Sequence, residues 1–198
     1  MEAKINTIAS FFLRAKHWQI FLVVFGVYLL GQILLMSYFV SSSGRGDSSG
    51  KYGILFGVVM GLSCSGLIFW LWCVGAFCNS IVDEALRLRS KFQGVAAIYP
   101  PFYAVFFVAR LGSFGGRTLE IILPLHLFAM FCMFYLLYFA SKSIVLAEGN
   151  KPVSFYDYAG PFFLMWFFPV GIWLVQPRIN RLYSEHTPSE QSAAMPVS

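Results

Sequence analysis

The feature that most constrains this chain is a series of long apolar runs that hold almost no formal charge, at positions 18–40, 53–78, 92–109, 119–140 and 158–176. A hydrocarbon core about 30 Å thick is crossed by about 20 helical residues at 1.5 Å each. With no water at that depth, the backbone must satisfy its own hydrogen bonds, so such runs become helices. The expected fold is therefore all-α, a polytopic transmembrane helix bundle of four to five membrane segments, with residues 1–182 as a single membrane domain. Composition agrees: 58% of the residues are hydrophobic and 12% charged, where a soluble domain carries about 25% charged residues.

The runs 18–40, 53–78 and 119–140 read as spans outright. The first follows basic residues (Lys4, Arg14, Lys16), as a secretory leader would, but its length of about 23 residues exceeds a leader's apolar core of about 7–15, and we read it as a span. The third run contains Pro100 and Pro101, which remove two backbone donors, so it should kink there or begin its helix near Pro100. The fifth is bracketed by Pro161 and Pro177 and interrupted by Pro169 and Gly171. Its unbroken core of about 15 residues reaches only about 22 Å, so this segment either crosses or re-enters.

The positive-inside rule weighs these two topologies. With five crossings the N-terminal side holds Lys4, Arg14, Lys16, Arg87, Arg89, Lys91, Lys142 and Lys151 against six basic residues opposite. A re-entrant last segment moves Arg178 and Arg181 across and makes the ratio ten to four. Both arrangements place the N-terminus in the cytoplasm, and the second leans toward a cytoplasmic C-terminus. The net charge of +5 is scattered between apolar runs and forms no groove-binding stripe, so no nucleic-acid partner is expected.

Between the runs, 81–92 alternates apolar Ile81, Val82, Ala85, Leu88 and Phe92 with Asp83, Glu84, Arg87 and Lys91. That period predicts an interfacial amphipathic helix or a continuation of the second span. Ile5, Ile8, Phe11 and Phe12 have the same character. The polar tail 183–198 is expected to be disordered.

The most specific packing signal is Gly53, Gly57, Gly61 and Ser65, a small residue at every fourth position. Such a row lies on one helix face and lets another helix approach closely. Its partner could be this chain's own bundle, a second copy or a different membrane protein. His126, two residues after Pro124, is the intramembrane group that titrates near neutral pH. It could serve a proton path or a ligand, or rest neutral against a carbonyl freed by Pro124. Asp83 and Arg87 are spaced for an i to i+4 ion pair. The aromatics Phe128, Phe131, Tyr135 and Tyr138 share one face, as lipid contact or bundle packing requires. Cys64, Cys73, Cys78 and Cys132 lie in or beside apolar runs with no CxxC pair, and Cys64 and Cys73 would be about 13 Å apart on one helix, too far to bridge. No phosphate loop, dinucleotide fingerprint, nucleophile elbow or zinc pattern is present, so neither a cofactor nor a metal is expected and an enzyme is disfavoured.

Three stretches, PLHLFAMFCMFYLLYFASKS (124–143), FYDYAGPFFLMWFFPVGIW (155–173) and QPRINRL (176–182), resemble the C-terminal half of an uncharacterised family of small bacterial polytopic membrane proteins. The resemblance implies a bacterial inner-membrane location and transfers no functional residue. It draws attention to Arg178 and Arg181, which are expected to contact lipid headgroups, each gaining about 1 kcal/mol near anionic lipid. The leading expectation is a non-enzymatic scaffold or accessory subunit. A small oligomeric channel or transporter is the alternative, and a membrane-embedded lipid enzyme built on Asp83, Glu84 or His126 comes third.

Overall fold

A computed structural model describes residues 7–42, 48–110 and 116–187, with side-chain surroundings over 8–41, 55–108 and 120–187. The described residues are helical with short connections. In chain order the helices are α1 (Thr7–Arg14), α2 (His17–Phe21), α3 (Val27–Ser42), α4 (Ser48–Ile81), α5 (Lys91–Arg110), α6 (Gly116–Gly149), α7 (Phe155–Trp166) and α8 (Phe168–His186). A π-helical turn over Leu22–Gly26 joins α2 to α3, closed by the Val27 N–H donating to Leu22 O. Among the described residues, three helical stretches are long and apolar enough to cross a membrane: His17–Ser41, Leu55–Ile81 and Glu120–Gly149. They overlap the three runs read as outright spans, the third extending nine residues beyond its run.

The chain divides into two compact units. One comprises Met1–Ile20, Cys73–Leu88 and Tyr138–Ser198; the other comprises Phe21–Trp72 and Arg89–Leu137.

The first unit, formed by the chain ends, is fastened by polar side chains aimed at backbone. Helix α1 is amphipathic: Ala9, Phe12 and Leu13 are buried while Ile8 and Phe11 are exposed. It packs against α8. The carbonyls at its C-terminal end are orphans of the helix, and the buried Gln176 answers them: its Nε2 donates to Phe12 O and Ala15 O, both at 3.0 Å. Asn180 Nδ2 donates to Ala15 O as well, at 3.2 Å.

Helix α4 ends at Ile81, and residues 82–90 are not helical. The interfacial helix expected at 81–92 is therefore not formed, nor is α4 continued through it. The reason lies in side-chain bonds nine residues apart: Leu88 N donates to Asn79 Oδ1 (2.8 Å) and Asn79 Nδ2 to Leu88 O (3.0 Å). Arg87 donates to the terminal carbonyls of Ser80 and Val82, at 3.1 and 3.2 Å. These bonds satisfy the backbone locally, and the expected pairing of Asp83 with Arg87 gives way. Asp83 instead accepts from the side chain of Asn150, whose Oδ1 accepts the Asp83 N–H at 3.2 Å. Asn150 follows the end of α6 with φ at 41°, a left-handed conformation that asparagine tolerates better than most residues.

The fifth apolar run is two helices. Helix α7 stops at Trp166, Phe167 leaves helical geometry (φ −86°, ψ 55°), and α8 begins at Phe168. Pro169 falls in the first turn of α8, where its missing N–H costs nothing. At Gly171 the backbones of the two helices meet: a β-carbon there would overlap the backbone of Leu164. Helix α8 runs on to His186, so the first residues of the expected polar tail are helical, and 188–198 lie outside the described residues.

The second unit, formed by the chain's middle, packs with small residues and rings. A β-carbon at Gly31 would overlap the side chain of Val59, and one at Gly57 that of Val108. Helix α5 passes unbroken through Pro100 and Pro101, so it does not begin there. Gln93, almost fully buried, donates through Nε2 to Trp72 O at 3.1 Å. Phe92 is ringed by Phe128, Phe131 and Tyr135 at centroid distances of 6.5, 5.8 and 4.9 Å.

Candidate functional site

Three places carry the residues singled out from sequence. The first is the α4 face with the small-residue row. Gly57 is closed by Val108. Gly61 is not: its nearest neighbour to an added β-carbon is Val105 Cγ2 at 3.9 Å. Ser65 turns its hydroxyl back to Gly61 O at 2.7 Å, so it presents no free donor. Gly53 lies in α4, but its surroundings lie outside the described residues. Beside Gly61 and Ser65 opens an apolar groove of about 270 Å³, bounded across by Pro101, Phe102 and Val105 of α5. Its rim residues Leu62 and Phe102 are 61% and 72% exposed.

The second place is His126. Its Nδ1 lies 3.1 Å from the hydroxyl of Tyr103. Tyr103 stacks on Tyr99 (6.1 Å, 12°), and Tyr99 donates to Leu125 O at 3.1 Å. The neutral-histidine reading named a carbonyl freed by Pro124 as the partner. That carbonyl is Glu120 O, and the hydrogen bond goes to Tyr103 instead. No signal in the sequence joins Tyr103 to His126, since they sit on different helices.

In the third, Arg178 and Arg181 meet Glu148 of α6. Arg178 Nε donates to Glu148 Oε1 at 2.9 Å and Nη2 to Oε2 at 2.5 Å, a bidentate pair. Arg181 Nη2 reaches Oε1 at 3.4 Å with its side chain 62% accessible. The hydrogen bond to Glu148 holds the Arg178 guanidinium above its ordinary pKa. The QPRIN stretch thus has a structural role in each polar residue: Gln176 and Asn180 hold α1, and Arg178 holds α6. Asp83 and Glu84 belong to the first unit and His126 to the second. Among the described residues no group of three or more metal-ligating side chains occurs, and the cysteines are free thiols.

Sequence reasoning missed Lys142. The residue lies beyond the run 119–140 and counts among the basic residues on the N-terminal side, yet α6 continues to Gly149 with Ile144 and Leu146 buried beyond it. The resumed apolar pattern at 144–146 was the available signal.

With three candidate spans and helices throughout the described residues, the features point to an all-α integral membrane protein in contact with lipid. No family model matches the chain, and no curated protein and no solved structure matches it.

Proposed function

We propose that the chain is a non-enzymatic membrane scaffold or accessory subunit, working through the α4–α5 groove as a seat for a helix of another membrane protein or of a second copy. The observation that carries this reading is the groove itself. Its floor is small (Gly61, Ser65), its walls are apolar, and its rim exposes Leu62 and Phe102. Lipid chains and side chains are equally apolar, so helices associate in a bilayer by close fit, and small residues permit that fit.

The topology belongs to the same reading. Five residues separate the end of α6 from the start of α7, and the Arg178–Glu148 pair returns α8 to that same end of α6. This supports a re-entrant α7–α8 hairpin, the ten-to-four distribution of basic residues, and both termini on the cytoplasmic face of a bacterial inner membrane. It makes four crossings, with α5 the one beyond the three candidate spans, and sets Arg181, whose side chain is mostly accessible beside Glu148, at the headgroup level.

Native mass spectrometry of gently extracted protein tests the groove. The wild type should carry a stoichiometric second chain, and Gly61→Leu, whose β-carbon would meet only Val105 Cγ2 at 3.9 Å, should lose it while melting at an unchanged temperature. A bare wild-type monomer, or a variant with unchanged composition, would sink the reading. Reporter fusions after Thr187 should read the same side as fusions at the N-terminus; opposite sides would dismiss the re-entrant hairpin.

A further inference from the structure

Within the three candidate spans formal charge is nearly absent, and the exception deep in a helix is Lys142. It lies about 10 Å before the end of α6 at 1.5 Å per residue. Its Nζ donates to Tyr138 Oη at 3.1 Å and stands 5.4 and 5.8 Å from the ring centroids of Tyr138 and Tyr158. The two rings meet edge to face at 5.6 Å.

The neighbouring carboxylates are engaged elsewhere. Glu148 takes Arg178 and Arg181, Asp157 takes the N–H and Oγ of Ser154, and Asp83 takes Asn150. Among the described residues no carboxylate lies within ion-pair distance of Lys142. Tyrosine faces attract a cation but leave its charge in place. A half-buried ammonium in an apolar helix is costly unless an anion meets it or it reaches the headgroup layer.

We propose that Lys142, walled by Tyr138 and Tyr158, binds the phosphate of an anionic phospholipid where α6 and α7 adjoin. The proposal rests on reading α6 as a membrane span. An ammonium has three donors; one goes to Tyr138, and two face the phosphate oxygens. Beside Tyr158 the exposed ring of Phe155, 5.4 Å away between centroids, gives the first acyl carbons an apolar surface. An anionic headgroup is selected because its net negative charge survives beside the cation, whereas a choline headgroup carries its own compensating charge.

The test uses the full chain in vesicles of phosphatidylglycerol and phosphatidylcholine at one to three, followed by mild extraction and native mass spectrometry of bound lipid. The wild type should retain phosphatidylglycerol over phosphatidylcholine by about fivefold beyond the vesicle ratio, Lys142→Gln should erase that preference, and Lys142→Arg should keep it. Equal preference in wild type and Lys142→Gln overturns the site. Should Lys142→Gln not fold, Tyr158→Leu is read instead: a weakened preference supports the site and an unchanged one overturns it. Inorganic phosphate raising the melting temperature of delipidated protein as much as short-chain phosphatidylglycerol does would assign the site to free phosphate and overturn the lipid. Wild-type protein that stays out of the vesicles overturns the membrane reading and the site with it, whereas inserted protein without headgroup preference overturns the site alone.

Discussion

The unit built from the chain ends and the unit built from its middle solve the same packing problem with different chemistry. In the first, side-chain amides and guanidinium groups seek out backbone carbonyls and one carboxylate: Gln176 on α1, Arg87 on α4, Arg178 on Glu148. In the second, valines fill glycine gaps at Gly31 and Gly57, and rings gather around Phe92. Hydrogen bonds specify a partner by direction, whereas a glycine gap specifies it only by shape. The contrast predicts that the first unit tolerates volume changes better than lost polar atoms, and the second the reverse, with one exception in each: the buried Gln93 on Trp72 O in the second, and a glycine in the first.

That glycine is Gly171, where the first unit also depends on a missing side chain. Because the obstruction is the Leu164 backbone and not a movable side chain, Gly171→Val should cost about 3 kcal/mol or more, the largest effect expected, read by thermal unfolding in detergent. Gln176→Leu keeps the volume but strands the Phe12 carbonyl and leaves that of Ala15 to Asn180 alone, for a loss of about 2 kcal/mol. Hydrogen exchange should quicken in α1 and stay unchanged in α5; faster exchange in both would erase the distinction between the units.

Smaller changes fall in the middle unit. Gly57→Ala meets Val108 at its β-carbon as well as its methyls, so that rotation alone does not relieve the overlap and α5 must shift, and it should cost about 1–2 kcal/mol; Gly61→Ala, with room for a methyl group, should melt like the wild type. Equal melting of the two variants would mean that the row is uniform. The smallest effect concerns pH. Ser154, through its N–H and then its hydroxyl, holds the Asp157 carboxyl below the usual carboxylate range. A depressed carboxylate contributes stability in full above its unfolded value near 3.9, and this is lost as pH falls through the lower folded value. Exchange at the start of α7 should therefore rise only in strong acid, and Ser154→Ala should move that rise to higher pH.

Much of this was legible in the sequence where lipid length sets the rule. The runs at 18–40, 53–78 and 119–140 appear as helices because an apolar stretch of that length has few other ways to satisfy its backbone. The ends were less legible. Helix α6 outlasts its run by nine residues because Ile144 and Leu146 pack inside the first unit despite Lys142 between the runs. The amphipathic period at 81–92 was present, yet Asn79 and Arg87 closed that stretch as a turn. The pairing of His126 with Tyr103 and of Arg178 with Glu148 joins residues on separate helices, which spacing along one helix cannot reveal.

The bond from Gln176 to Phe12 spans 164 residues of sequence. Ribosomes deliver the chain from its N-terminus, so α1 is made well before α8 and waits for it before its carbonyls find their donors. Until then water or headgroups must hold that end. Closing α8 onto α1 is therefore a late step of biogenesis, and a product truncated before Gln176 would announce itself by a loose α1 that quality-control proteases can seize.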